Sequence, residues 1–188
     1  LSVIDQEGQN IFDDGSEAGS QAMQHALAGL LAAMPESMLI FAPHHNSYRR
    51  FAIDSHAPLS ACWGYENRTT ALRIPLGPTQ QRRIEHRVAG ADTNPYLVLA
   101  TILAGVLAGL DREAPPPPQT IGSGYDAKLP PLPLIWQTAY DAFAKGSILG
   151  GLLPDVFRHM LLDCKAQEMR RFASDISAFE YQSYLDQA

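Results

Sequence analysis

The segment Tyr96 to Leu110 is almost wholly apolar, and Asn94-Pro95 stands directly before it. Asparagine is a favoured helix cap and proline suits the first helical position, so this pair marks a helix start. The run ends at Asp111-Arg112-Glu113. A membrane span needs about 20 such residues, and this run is shorter. A helix apolar on every side is expected at the centre of a protein core, so the remaining elements must be arranged around it. With 188 residues there is enough chain for one domain, or for one piece of a larger domain. At 46% hydrophobic and 18% charged, the composition excludes a disordered tail.

Around that helix the pattern is mixed. Leu1–Phe12 reads as a strand and turn, with Gln6-Glu7-Gly8-Gln9 turning. Ser16 could cap a helix. Ala22, Met23, Ala26, Leu27, Leu30, Leu31 and Met34 then recur at helical spacing, and Pro35 is expected to stop that helix. From Ser37 to Val88, short β-rich runs are broken by Pro43, Pro58, Gly64, Pro75 and Pro78, which predicts several antiparallel strands. Pro115–Pro118, Gly122, Gly124 and Pro130–Pro133 read as an exposed loop. Leu134–Lys145, closed by Gly146, and Pro154 to about Ser174 read as helices. The predicted fold class is α+β, antiparallel strands backed by helices.

The net charge is -6, which makes the chain a poor general binder of nucleic acid. Two cysteines, Cys62 and Cys164, are too few for a disulfide framework and lack metal-ligand spacing, so reduced, buried thiols are expected. Leu1–Asn10 carries acids and no basic region, so no signal peptide is expected, and the expected location is cytoplasmic. The absence of an initiator Met suggests that the sequence begins inside a longer protein.

The charge is unevenly spread. Arg49, Arg50, Arg68, Arg73, Arg82, Arg83 and Arg87 face only Asp54, Glu66 and Glu85 in the same window, a net of +4, while the remainder carries -10. Every cation in this window is arginine, whose planar fork suits carboxylate and phosphate oxygens. A solvated sheet face laced with ion pairs is one reading; a pocket for a multiply anionic ligand is the other. Strand alternation would put Arg83, Glu85 and Arg87 on one face and Ile84 and His86 on the other. Arg68 and Arg73 could share a site only if Arg68 lies in a turn before the strand, which Asn67 favours.

Asn46-Ser47-Tyr48-Arg49-Arg50, Ala57-Pro58, Asn67-Arg68-Thr69-Thr70-Ala71-Leu72-Arg73-Ile74-Pro75, Arg82-Arg83-Ile84-Glu85-His86-Arg87 and Asn94-Pro95-Tyr96 follow one another in order. Together they closely resemble the glutamine synthetase superfamily. The resemblance extends to Gly8-x-Asn10-x-Phe12 at the start and to Phe179-Glu180 and Tyr184 at the end. It implies the C-terminal part of the catalytic domain over residues 1–188, without the N-terminal domain and the first half of the catalytic domain. It also implies a ring-shaped homo-oligomer with sites between neighbouring subunits. The implied reaction uses ATP to phosphorylate the side-chain carboxylate of glutamate, and ammonia or an amine then attacks the γ-glutamyl phosphate. Arg50 and Arg87 match arginines that hold glutamate or the transferring phosphoryl group. Arg68 and Arg73 match arginines on the ATP phosphates and the acyl phosphate, and Arg83 matches an ATP-site arginine. Arg50, Arg68 and His56 are the implied catalytic groups. Glu85 matches a ligand of Mg²⁺ or Mn²⁺, but one carboxylate cannot complete a site of about six oxygens.

Asp54-Ser55-His56-Ala57-Pro58 departs from the ammonia-using pattern, in which an acid stands where His56 is. Histidine can act as a base near neutral pH, but it lacks the fixed negative charge that attracts ammonium. The stretch Glu85 to Tyr96 resembles the γ-glutamylpolyamine synthetase branch. An organic amine is therefore the preferred acceptor, with ammonia-dependent glutamine synthesis as one alternative and a non-catalytic scaffold as another. His56 could equally be a loop-packing residue. No nucleic-acid or membrane partner is expected. His44-His45 are expected to be structural or surface residues rather than metal ligands, since neighbours on a strand point apart. Tyr125 falls where some bacterial glutamine synthetases carry a modified tyrosine, with loop packing as the simpler role. Lys165 and Glu168 suit a helix-face ion pair.

Overall fold

A computed structural model describes residues 1–185. Leu1–Leu153 and the chain from Pro154 onward form two separate compact units. The first begins with helix α1, Gln21–Phe41. Ser20, not Ser16, caps it, its hydroxyl accepting from the amide of Met23 at 3.2 Å. Pro35 does not stop α1. It removes one backbone hydrogen bond, but Met38, Leu39, Ile40 and Phe41 beyond it are buried, and the Ser37 hydroxyl bonds the carbonyl of Ala33 at 2.7 Å. Burial of the whole final stretch outweighs the proline penalty of about 3 kcal/mol.

The small sheet comprises β1 (Trp63–Tyr65), β2 (Leu72–Ile74) and β3 (Glu85–His86), in that order. The α+β class stands, but the sheet is mixed: β2 pairs with β3 antiparallel and with β1 parallel. The difference arises at Glu66–Ala71, where Asn67 builds a side-chain turn. Its carboxamide oxygen accepts from the Thr69 amide at 3.0 Å, and the chain doubles back before β2 begins. Leu1–Phe12 forms only an isolated bridge between Ile4 and Asn10. That segment is fastened instead by the Asn10 side chain, which donates to the carbonyls of Gln80 and Arg82, and by fully buried Phe12.

Helix α2, Pro95–Arg112, begins as its sequence dictates, with Asn94 accepting from the amides of Tyr96 and Leu97. It is not enclosed on all sides. Its mean hydropathy of 1.4 and its length would suit a membrane span, but one face lies along α1. That face is the one with small residues: Thr101, Ala104, Gly105 and Gly109 are buried, whereas Leu99, Leu103 and Leu107 are exposed. Backbone proximity explains the choice. A Cβ on Gly29 would collide with the backbone of Gly105 and Gly109, and a Cβ on Gly109 would collide with the carbonyl of His25. Helix α3, Trp136–Lys145, packs on α1 through Trp136, Ala139 and Phe143. The short helix α4, Ile148–Leu152, is capped by the buried carboxylate of Glu36, which accepts from the amides of Ile148 and Leu149.

The second unit consists of α5, Asp155–Ser174, and α6, Ala178–Tyr184. Lys165 and Glu168 form the expected ion pair at 2.5 Å. Cys164 is exposed, contrary to expectation, while Lys165 beside it is buried; Cys62 is buried and free as expected. Ser177 and Glu180 cap α6 reciprocally.

The glycine crossing of α1 and α2 is testable. Gly109→Val should destabilise the fold by about 2 kcal/mol or more, because there is no room for a side chain. Gly151→Ala, where an added Cβ meets nothing within 4 Å, should leave stability unchanged or slightly raised. Equal thermal midpoints for the two variants would contradict this packing account.

Candidate active site

The outer face of β2 and β3 is where charge gathers. Arg73, on β2, directs one guanidinium nitrogen to Glu85 at 2.8 Å and the other to Glu66 at 2.7 Å. Arg83 reaches the second oxygen of Glu85 at 3.1 Å. The alternation of β3 holds: Ile84 is buried on the inner side, while Glu85 and Arg83 face outward. Burial opposes charge on Glu85, but Arg73 and Arg83 outweigh it and hold the carboxyl below its ordinary range. Glu66 is likewise lowered, chiefly by the hydrogen bond from Arg73.

Arg68 lies in the turn after Asn67, as the sequence required if it was to join Arg73. Its carbonyl accepts from Arg87, whose guanidinium also reaches the carbonyls of Thr70 at 3.1 Å and His56 at 3.3 Å. Arg68, Arg73 and Glu85 all lie close enough to Arg87 to act on its charge. Burial draws the Arg87 guanidinium down, and the nearby Tyr125 phenol partly compensates. Arg50 stands at the edge of this group. It donates to the carbonyl of Val88, the residue after Arg87, and lies 4.2 Å from the ring centre of Phe51. Its Nε is buried without a hydrogen-bond partner; burial draws the pKa of the guanidinium down, and nearby Asp92 only partly opposes this. Asp92 is itself held by the Ser47 hydroxyl at 2.5 Å.

The arginine-rich window therefore divides. Arg73 and Arg83 bond Glu85, Arg87 lies near it, Arg68 lies near Glu66 and Arg87, and Arg50 is held at Val88, the residue after Arg87. Arg82 is different: it is buried and donates to the carbonyl of Ser16, tying the N-terminal segment to the sheet. Arg49 is exposed. His56 is exposed on a loop in which both it (φ 61°) and Asp54 (φ 62°) adopt left-handed backbone conformations. Two contributors lacked a clear sequence signal. Glu66 pairs with Arg73 from a left-handed backbone, φ 49°. Tyr125 reaches the carbonyl of Ala57 at 3.2 Å from a loop 68 residues away.

Glu85 is a poor start for a metal centre within this chain. Both its oxygens are taken by guanidinium groups, and no cluster of three or more His, Cys, Asp or Glu occurs among the described residues. The residues present do not fit a complete divalent site. His44 and His45 form no such site either; they begin a 3-10 turn, His45–Arg50, rather than a strand.

Residues 1–184 match the family described as glutamine synthetase, catalytic domain. The chain belongs to the glutamine synthetase catalytic-domain family. It is 39% identical to gamma-glutamylputrescine synthetase PuuA of Escherichia coli (strain K12) over 188 residues, covering 100% of this chain and 40% of that protein. It is 37% identical to gamma-glutamylethanolamide synthetase GlnA4 of Streptomyces coelicolor over 148 residues, covering 79% of this chain and 32% of the relative. A solved GmaS/ADP complex superposes with a TM-score of 0.86 at 27% identity, covering 99% of this chain and 45% of GmaS. The chain thus spans about two-fifths or less of the length of these two curated relatives. Over this glutamine synthetase segment, the arginine-bearing face lies outside the apolar cavity of about 390 Å³ lined by Ala28, Gly29, Leu31, Gly109 and Arg112.

Behind the charged face, His86 packs on Phe41 with ring centres 4.5 Å apart. Its Nδ1 is sealed from solvent, although part of the residue surface is exposed. Burial pushes its pKa down to about 3, so His86 is neutral in the folded state. The unfolded chain takes up a proton near pH 6.5 that the native state refuses. His86 therefore costs stability as pH falls below about 6.5, by at most about 1.4 kcal/mol per pH unit. The thermal midpoint should drop between pH 7.5 and pH 5, and His86→Gln should flatten much of that drop. An identical drop in both proteins would contradict the assignment.

Proposed function

We propose that this chain is the C-terminal part of the catalytic domain of a longer ATP-dependent ligase. That enzyme joins an organic amine to the γ-carboxylate of glutamate. The observation that carries the reading is the gathering of Arg68, Arg73, Arg83 and Arg87 about Glu66 and Glu85. The relatives named for γ-glutamyl amide synthesis lend it support.

In this reading the γ-carboxylate of glutamate attacks the terminal phosphorus of ATP, forming γ-glutamyl phosphate and releasing ADP. The amine nitrogen then attacks the acyl carbon, the C–O bond to phosphate breaks, and the nitrogen loses a proton. Phosphoryl transfer needs positioning and neutralisation of equatorial oxygens more than covalent help. Arg68, Arg73 and Arg83 would supply that charge to ATP and to the acyl phosphate. Arg73 and Arg83, now paired with carboxylates in partly exposed bridges, would exchange those oxygens for the oxygens of an incoming phosphate. Arg50 and Arg87 would hold glutamate, with Arg50 held by the Val88 carbonyl and Asp92 nearby. His56, on its exposed loop, would accept the proton from the attacking amine. Mg²⁺ or Mn²⁺, implied by the family, would need further ligands from outside this chain. The same holds for subunit assembly, which this proposal places in the full-length protein.

Phosphate release from the full-length protein, with ATP, glutamate and a panel of amines, tests the reading. At least one organic amine should be preferred over ammonia, and His56→Glu should shift that preference toward ammonia. The isolated chain should show no turnover. Ammonia as the best acceptor, with no response to His56→Glu, would contradict the amine assignment, and clear turnover by the isolated chain would contradict its dependence on further sequence.

A further inference from the structure

We propose that Tyr125 is a positioning residue for the acceptor side of this site, and that its phenol pins the Asp54–Pro58 loop against the arginine cluster. The proposal rests on the ligase reading above, in which that loop carries the proton acceptor His56.

The loop needs external support. Ala52 to His56 are all exposed, and neither Asp54 nor His56 is glycine, although both adopt left-handed backbone. Such conformations persist only where surrounding contacts hold them. Inside the loop, the Ser55 hydroxyl donates to the carbonyl of Ala52 at 2.6 Å. From outside, two consecutive carbonyls are gripped. Arg87 donates to His56 at 3.3 Å, and the Tyr125 hydroxyl donates to Ala57 at 3.2 Å. Arg87 is fixed in turn by the carbonyls of Arg68 and Thr70.

Tyr125 is able to act as a pin because its own segment is fastened to the sheet. The Trp63 indole donates to the carbonyl of Pro117 at 2.7 Å, and the Thr120 amide donates to the carbonyl of Trp63 at 2.8 Å. The Asn67 carboxamide donates to Gly122 at 2.8 Å, and the Gly124 amide donates to the Thr69 hydroxyl at 2.6 Å. Gly124 lies so close to Thr69 that an added Cβ would sit 2.6 Å from its carbonyl oxygen. The proline- and glycine-rich segment is therefore a strut running from β1, past the Arg68 turn, to the His56 loop. Asn67 serves both ends, since the turn that places Arg68 also anchors the strut that places Tyr125.

The consequence is selective. Arg73 and Arg83 have their own anchors at Glu66 and Glu85, so loss of the Tyr125 hydroxyl leaves the ATP side in place. It releases the carbonyl next to His56.

Tyr125→Phe in the full-length protein removes that single hydroxyl and keeps the ring. KM for the amine should rise about five-fold, the worth of one neutral hydrogen bond. KM for ATP and glutamate should stay within about two-fold, the usual scatter of remote effects. Amide hydrogen exchange should quicken at residues 52–57 and stay unchanged at residues 72–74. Unchanged exchange at 52–57 would overturn the pin. Faster exchange with an unmoved amine KM, or with all three KM values raised alike, would overturn its acceptor-side role. An enzyme that uses ammonia but no organic amine would overturn the function proposed above. Tyr125 would then be judged by the same split with ammonia as the varied substrate.

Discussion

Guanidinium groups gathered about one small sheet repel one another unless something fixed separates them. Here that something is Glu85. Its two oxygens face Arg73 and Arg83, and Glu66 takes the second terminal nitrogen of Arg73. The pairs are partly exposed, so each alone contributes little to stability. Their importance is geometric. They hold long, flexible side chains in defined places. Arg87 solves the same problem differently. It uses three backbone carbonyls, from His56, Arg68 and Thr70, to join the two loops that flank the sheet.

The rest of the fold holds this face steady. Phe41, at the end of α1, lies against His86 on the inner side of β3, and the amide of Gly90 bonds the carbonyl of Phe41. The helix that continues through Pro35 thus reaches the reverse side of the arginine sheet. Glycines 29, 105 and 109 let α2 lie close along α1. Arg82, drawn from the same run as the site arginines, is spent on the scaffold rather than on the site.

Much of this was legible in the sequence. Asn94-Pro95 announced α2, Asn67 announced the turn that brings Arg68 beside Arg73, and alternation along Arg83–His86 put Glu85 outward and Ile84 inward. What was not legible depended on long-range contacts. Pro35 reads as a stop, yet buried residues beyond it carry α1 onward. The parallel pairing of β1 and β2 follows from a turn whose direction no local propensity reveals. The apolar run of α2 suggested burial all round, but small residues chose one face and left Leu99, Leu103 and Leu107 exposed. Glu66 and Tyr125 join the site through a left-handed backbone and a distant loop, neither of which leaves a periodic trace.

The central claim is that the arginine face receives phosphate and carboxylate oxygens. A structure of the full-length protein with a non-hydrolysable ATP analogue and glutamate tests it most directly. The account predicts phosphate oxygens within about 3 Å of guanidinium nitrogens of Arg68, Arg73 or Arg83, with glutamate held by Arg50 or Arg87. Nucleotide bound elsewhere, with Arg73 and Arg83 still paired to Glu66 and Glu85, would contradict it.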